Sequence, residues 1–126
     1  APSFDSLVRQ GEDRLARGDA AGAEEAFERA LARRPGAASA LTGLGFVALA
    51  RGNAAAAARR FRPAHRADHG PASLGLGEAY ERLGRPGDAA DLVTDVMNRL
   101  YGAAAARRGL RRVREATELS GSPAAL

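Results

Sequence analysis

Two histidines, His65 and His69, stand four residues apart, with Asp68 beside the second. On one helix that spacing puts both imidazoles on the same face, where they can share a zinc ion. Pro63 upstream and Gly70-Pro71 downstream also fit a fraying helix end, where the rings would cap carbonyls or meet solvent. The sequence offers no third ligand at a matching distance, so His65 and His69 are a weak metal candidate and no cofactor is expected. Gly43-Leu44-Gly45-Phe46-Val47-Ala48 has the glycine spacing of a dinucleotide-binding turn. That turn needs a strand before it, and Ala37 to Thr42 reads as helix, so the match is set aside. With both histidines on one short segment, no Ser-His-Asp set has a frame, and no catalytic residue is expected. Paired acids such as Glu24-Glu25 fall on the outer face of a helix.

Composition closes further routes. All 19 Lys+Arg residues are arginine, which removes Schiff-base lysine chemistry and the phosphate-gripping lysine of nucleotide loops. Cysteine is absent, so disulfides are excluded. The heavy use of Ala, Arg and Gly points to a GC-rich bacterial genome. The net charge of +4 is not spread evenly. Residues 1–37, 38–71, 72–101 and 102–126 carry −1, +4, −2 and +3, so basic and acidic blocks alternate. A continuous phosphate-tracking stripe is absent and aromatic residues do not interleave with the arginines, which makes a nucleic-acid partner unlikely. No apolar run approaches the ~20 residues of a membrane span, so insertion is not expected. The chain opens Ala1-Pro2-Ser3-Phe4, as a form after signal cleavage or a domain of a larger protein would. Cytoplasm and periplasm are both compatible.

The elements follow from periodicity and punctuation. Alanine is abundant, while isoleucine and tryptophan are missing and β-branched residues are sparse, which favours an all-α chain. Gly18, Gly52 and Gly84 recur at intervals of 34 and 32 residues between helix-forming arms. A period near ~34 with two helices per unit marks a helical-hairpin solenoid. The expected helices run from Ser3 to Ala16, Ala21 to Arg33, Ala38 to Ala50, Ala54 to Asp68, Leu74 to Leu83, Asp88 to Leu100 and Ala103 to Leu119. Pro63 falls inside the fourth and should kink it. The sixth has the clearest amphipathic spacing, with Ala89, Leu92, Val93, Val96, Met97 and Leu100.

These residues resemble the tetratricopeptide repeat family. The first unit supplies Leu7, Gly11, Ala23, Phe27, Ala30 and Pro35 to its pattern, and the second Leu41, Leu44-Gly45, Ala57, Phe61 and Ala64. The third supplies Leu76-Gly77, Tyr80 and Ala89. Arg14 and Ala48 stand where the pattern has an aromatic, and His69 where it has Pro. The resemblance implies units at about 4–37, 38–69 and 70–101, a capping helix at 103–119 and a loose tail at 120–126. Residues 1–119 would then form a single domain of about seven helices, three hairpins and a cap. Gly11, Gly45 and Gly77 would let paired helices approach Ala23, Ala57 and Ala89, with Phe27 and Phe61 filling the space between units.

The resemblance also implies a function. In this family the first helices of the units line a concave groove that holds a peptide or helix of a partner protein. Carried over by phase, that face holds Asp5, Val8, Glu12, Leu15, Ser39, Thr42, Phe46, Leu49, Leu74, Glu78 and Glu81, with Arg108 and Arg112 at its far end. Phe46 and Leu49 can line the groove or simply pack against neighbouring first helices. Arg108 and Arg112, one turn apart, can face one carboxylate or phosphate, or form the solvated side of a cap. The expected role is a non-catalytic protein-interaction scaffold. Self-association as an assembly or spacer module of a larger protein is the alternative, so a homo-oligomer is possible. A small metal-dependent enzyme using His65 and His69 is the rival from another class; with Asp68 the pair resembles an inverted zinc-protease motif bearing Asp for Glu.

Overall fold

Short-range signals set the helix ends. In the computed structural model, which describes residues 2–67, 69–102, 107, 108, 111, 112, 114 and 115, the elements are α1 (Phe4–Ala16), α2 (Ala20–Arg33), α3 (Ala38–Ala50), α4 (Ala54–Arg66), α5 (Gly70–Arg82) and α6 (Pro86–Tyr101). No strand occurs among the described residues, and the chain is an all-α solenoid of helical hairpins. The seventh helix expected over 103–119 and the tail at 120–126 lie largely outside the described residues. Those described there, Arg107, Arg108, Arg111, Arg112, Arg114 and Glu115, are helical.

Side-chain oxygens cap the starts of α1, α2 and α4 by accepting from otherwise unpaired backbone N–H groups. Ser3 Oγ accepts from Ser6 N at 3.1 Å, Asp19 Oδ1 from Gly22 N at 2.9 Å, and Asn53 Oδ1 from Ala56 N at 3.1 Å. The periodic glycine ends the first helix of each unit. Gly18, Gly52 and Gly84 have φ of 82°, 76° and 63°, the left-handed region that an L side chain rarely enters. The next residue then folds its N–H back onto the helix: Asp19 to Arg14 O at 2.8 Å, Asn53 to Ala48 O at 2.9 Å, Arg85 to Tyr80 O at 3.0 Å.

Several helix ends differ from the sequence expectation by one or two residues, and the largest shift is at the junction of α4 and α5. The fourth helix ends at Arg66 instead of Asp68, which is outside the described residues, and the fifth begins at Gly70 instead of Leu74. Pro71 starts α5 because the first-turn N–H it lacks would have no intrahelical partner. Pro63 sits within α4, and the helix continues past it to Arg66. Its ring and Arg59 are both exposed, so water can take the Arg59 carbonyl that a residue 63 N–H would have bonded.

The chain divides into two compact units, Ala1–Pro86 and Gly87–Leu126. In the first, α1 packs on α2 and α3 on α4; α2 packs on α3 and α4 on α5 between hairpins. α1 also lies beside α3, and α3 beside α5, so the three first helices form one layer. In the second unit Leu92 is buried, Val96 and Met97 are half-buried, and Val93 and Leu100 are exposed.

The first unit is built around two phenylalanines. Phe27 and Phe61 are 1% and 0% exposed. A Cβ placed on Gly11 or Gly43 would come within 3.0 Å of the Phe27 ring, and one on Gly45 or Gly75 would do the same to Phe61. Each ring thus fills the space that two glycines leave open, one on its own hairpin's first helix and one on the next. At Gly11 and Gly45 the nearest side chain is the phenylalanine ring of the paired helix. The ring reaches farther than an alanine methyl and occupies the space where a Cβ would stand. Leu7, Val8, Ala23, Ala30, Ala40, Leu44 and Val47 complete the cluster around Phe27.

Gly43→Ala and Gly75→Ala are each expected to destabilise the fold by about 1–2 kcal/mol, because overpacking outweighs the helix-propensity gain of alanine. Gly70→Ala, whose added Cβ meets nothing within 4 Å, should stay within about 0.5 kcal/mol of the parent. Phe27→Leu combined with Gly43→Ala should cost less than the two changes summed, since the smaller side chain yields the space. Urea unfolding midpoints of the single and double variants measure all three.

Candidate interaction face

The first-helix layer offers a mixed face whose residues divide sharply by exposure. Val8, Thr42 and Leu49 are buried at 8%, 5% and 6%. Thr42 satisfies its hydroxyl within α3, donating from Oγ1 to Ala38 O at 2.7 Å. Leu15 and Ser39 are half-buried, and Leu15 packs against the Phe27 cluster. Phe46 is half-buried, with its ring edge-on to Phe61 at a centroid distance of 5.0 Å and an interplanar angle of 74°. Leu74 is 77% exposed. Asp5, Glu12, Glu78 and Glu81 are exposed. Arg108 and Arg112 are exposed in the second unit. The first unit therefore brings Phe46, Leu74 and the acids to its first-helix layer, with Val8, Leu15, Thr42 and Leu49 as packing beneath.

Several polar contacts were not singled out by sequence. Arg82 on α5 donates through one guanidinium nitrogen to Leu49 O at the end of α3, at 2.9 Å, and through the other to Glu78 Oε1 at 2.7 Å. Arg14, standing where the repeat pattern has an aromatic, donates to Gly22 O in the first turn of α2 at 3.1 Å. It ties the hairpin with a hydrogen bond where a ring would have tied it by packing. Arg62 donates to Tyr80 Oη at 3.2 Å, linking α4 to α5. Arg51 pairs with Glu24, and Arg60 with Glu28 at 3.4 Å. Arg51 and Glu24 are 27 positions apart and Arg60 and Glu28 are 32, so the only available signal was opposite charge about one repeat away.

The histidines are not partners on one helix. His65 lies in α4, 7% exposed, with Nδ1 2.7 Å from Ser73 Oγ on α5. His69 stands at the N-cap position of α5, beyond the end of α4, and its side chain makes no capping hydrogen bond. The i, i+4 geometry that suggested a shared ion requires a continuous helix, and α4 stops at Arg66. Among the described residues no group of three or more His, Asp or Glu side chains could hold a metal ion.

Consecutive hairpins in register, with first helices in one layer, define a helical-repeat solenoid. A family model described as tetratricopeptide repeat matches residues 8–62 and 45–96. The chain belongs to the tetratricopeptide repeat family. Repeats of this family mediate protein–protein interactions, and its members are typically non-catalytic scaffolds. No curated protein matches the chain.

Zinc is expected to leave the thermal unfolding midpoint unchanged, because His65 is committed to Ser73 and His69 lies off its helix. A zinc-dependent rise that His69→Ala removes would show that the pair does take a metal.

Proposed function

We propose that this chain is a non-catalytic interaction module that holds a peptide or helix of a partner protein against the layer formed by α1, α3 and α5. The observation that carries the reading is the exposure of Leu74 on the same layer as Phe46. Covering a leucine fully is worth roughly 1.5–3 kcal/mol, so Leu74 has the most to gain from a partner. Val8, Thr42 and Leu49 are already covered and act as the floor. The face has the plan of a partner groove, with apolar anchors at its centre and charged residues at its edges. The reading rests on the first unit alone.

A helical partner or an extended peptide satisfies it equally, since either can present one apolar side chain to such a face. The test is a pull-down from the source organism's lysate with the parent chain and with Leu74→Asp. Leu74 is exposed, so the variant should keep the parent's circular dichroism spectrum. A partner that the parent retains and the variant loses is the expected result. Retention by both would move the interface to the second-helix side, and a mass rising with concentration would favour self-association. Leu49→Asp is unsuitable as a probe, because a carboxylate at a 6% exposed position would unfold the hairpin.

A further inference from the structure

The two sides of the first unit differ in the sign of their free charge. On the first-helix side Glu12 and Glu81 are exposed, and among the described residues no cation pairs with either. Arg82, next to Glu81, is already held by Glu78 and the Leu49 carbonyl, and Arg14, two residues from Glu12, by the Gly22 carbonyl. Between them α3, from Ala38 to Ala50, carries no charged residue. On the second-helix side Glu24 and Glu28 of α2 are paired with Arg51 and Arg60, and Arg62 is bonded to Tyr80, which leaves Arg29, Arg33, Arg59 and Arg66 against Glu25.

Repeat phase places these groups in order. Glu12, Phe46 and Glu78 hold the same position in successive first helices, offset by 34 and 32 residues. Leu74 lies four residues before Glu78, about one helical turn. An apolar pair, Phe46 and Leu74, is therefore flanked by the carboxylate of Glu12 on α1 and that of Glu81 on α5.

We propose, resting on the groove reading above, that the occupant of this face is a peptide segment with one large apolar residue flanked by arginine or lysine. The apolar residue covers Leu74 and Phe46, and the flanking cations meet Glu12 and Glu81. An acidic segment would set carboxylate against carboxylate here and would be drawn to the α4 side instead. The field across the unit thus selects which side a charged partner approaches, before any contact forms. A cation at the rim governs encounter and register more than affinity, so the apolar anchor is the larger contribution.

Random-peptide display on the full chain, followed by binding of the synthetic winners, tests this. The expected winners carry Arg or Lys on both sides of a Leu, Phe or Met. Their binding should weaken as salt rises, vanish with Leu74→Asp, and fall by about tenfold with Glu12→Arg plus Glu81→Arg. Both sets of changes are at exposed positions, and circular dichroism confirms folding. Acidic or uncharged winners that still depend on Leu74 overturn the proposal and leave the groove reading standing. Winners indifferent to Leu74→Asp, or no winners at all, overturn both. A concentration-dependent mass that Leu74→Asp abolishes assigns the face to a second copy and overturns the proposal as well.

Discussion

A phenylalanine ring seated between two glycines is the contact on which the first unit depends. Phe27 on α2 spans Gly11 of α1 and Gly43 of α3, and Phe61 on α4 spans Gly45 of α3 and Gly75 of α5. One side chain therefore fixes three helices at once: its own, the one it is hairpinned to and the first helix of the next unit. This explains the composition of α3. Gly43 and Gly45 lie about 200° apart around a helix of ~3.6 residues per turn, so the helix is gripped by a ring on each flank. A helix held that way has little solvent side, and α3 is accordingly apolar or small from end to end with no charged residue. The Gly-x-Gly pair that mimics a nucleotide-binding turn is the mark of those two seats.

Electrostatics has a different task. The alternation of acidic and basic blocks is partly consumed between hairpins, with Glu24 meeting Arg51 and Glu28 meeting Arg60. Their side chains are 41–48% exposed, and such pairs are worth about 0–1 kcal/mol, far less than a buried ring. Their use is in register. A basic α4 beside an acidic α2 favours one neighbour and one offset, and like charges would resist a slip. The chain's net positive charge thus belongs partly to its own assembly, in keeping with the lack of a continuous basic stripe.

What could be read from the sequence was whatever depends on neighbours close along the chain. The glycine stops at 18, 52 and 84 act within a few residues, and the hairpins followed from them; the caps at Ser3, Asp19 and Asn53 act over the same short range. The junction of α4 and α5 was harder, because Pro63 and Pro71 have opposite local meanings. One is absorbed in a helix and the other opens one, and the misplacement carried His69 onto the wrong element. Burial on the candidate face was the least legible. Val8, Thr42 and Leu74 hold the same repeat position, yet they are 8%, 5% and 77% exposed. Phase sets the direction in which a residue points, whereas exposure depends on what stands in front of it. Val8 has α3 beside its helix and Thr42 has α5, while the first unit holds no first helix after α5.

That end effect bears on where a repeat protein of this kind can carry its specificity. Positions 11, 27, 43, 45, 61 and 75 leave almost no freedom, since any added atom meets a ring or any lost one opens a void. Glu12, Leu74 and Glu81 bear no such constraint, for none is buried and, among the described residues, neither carboxylate is tied to a cation. Phe46 stands between the two groups: its ring edge braces Phe61 while part of it remains open to solvent. Chemistry at Phe46 is therefore coupled to the fold through a single aromatic contact, whereas chemistry at Leu74 and the glutamates can vary at little cost in stability. A face so divided can change partners by exchanging exposed residues while the glycine-seated rings keep the helices where they are.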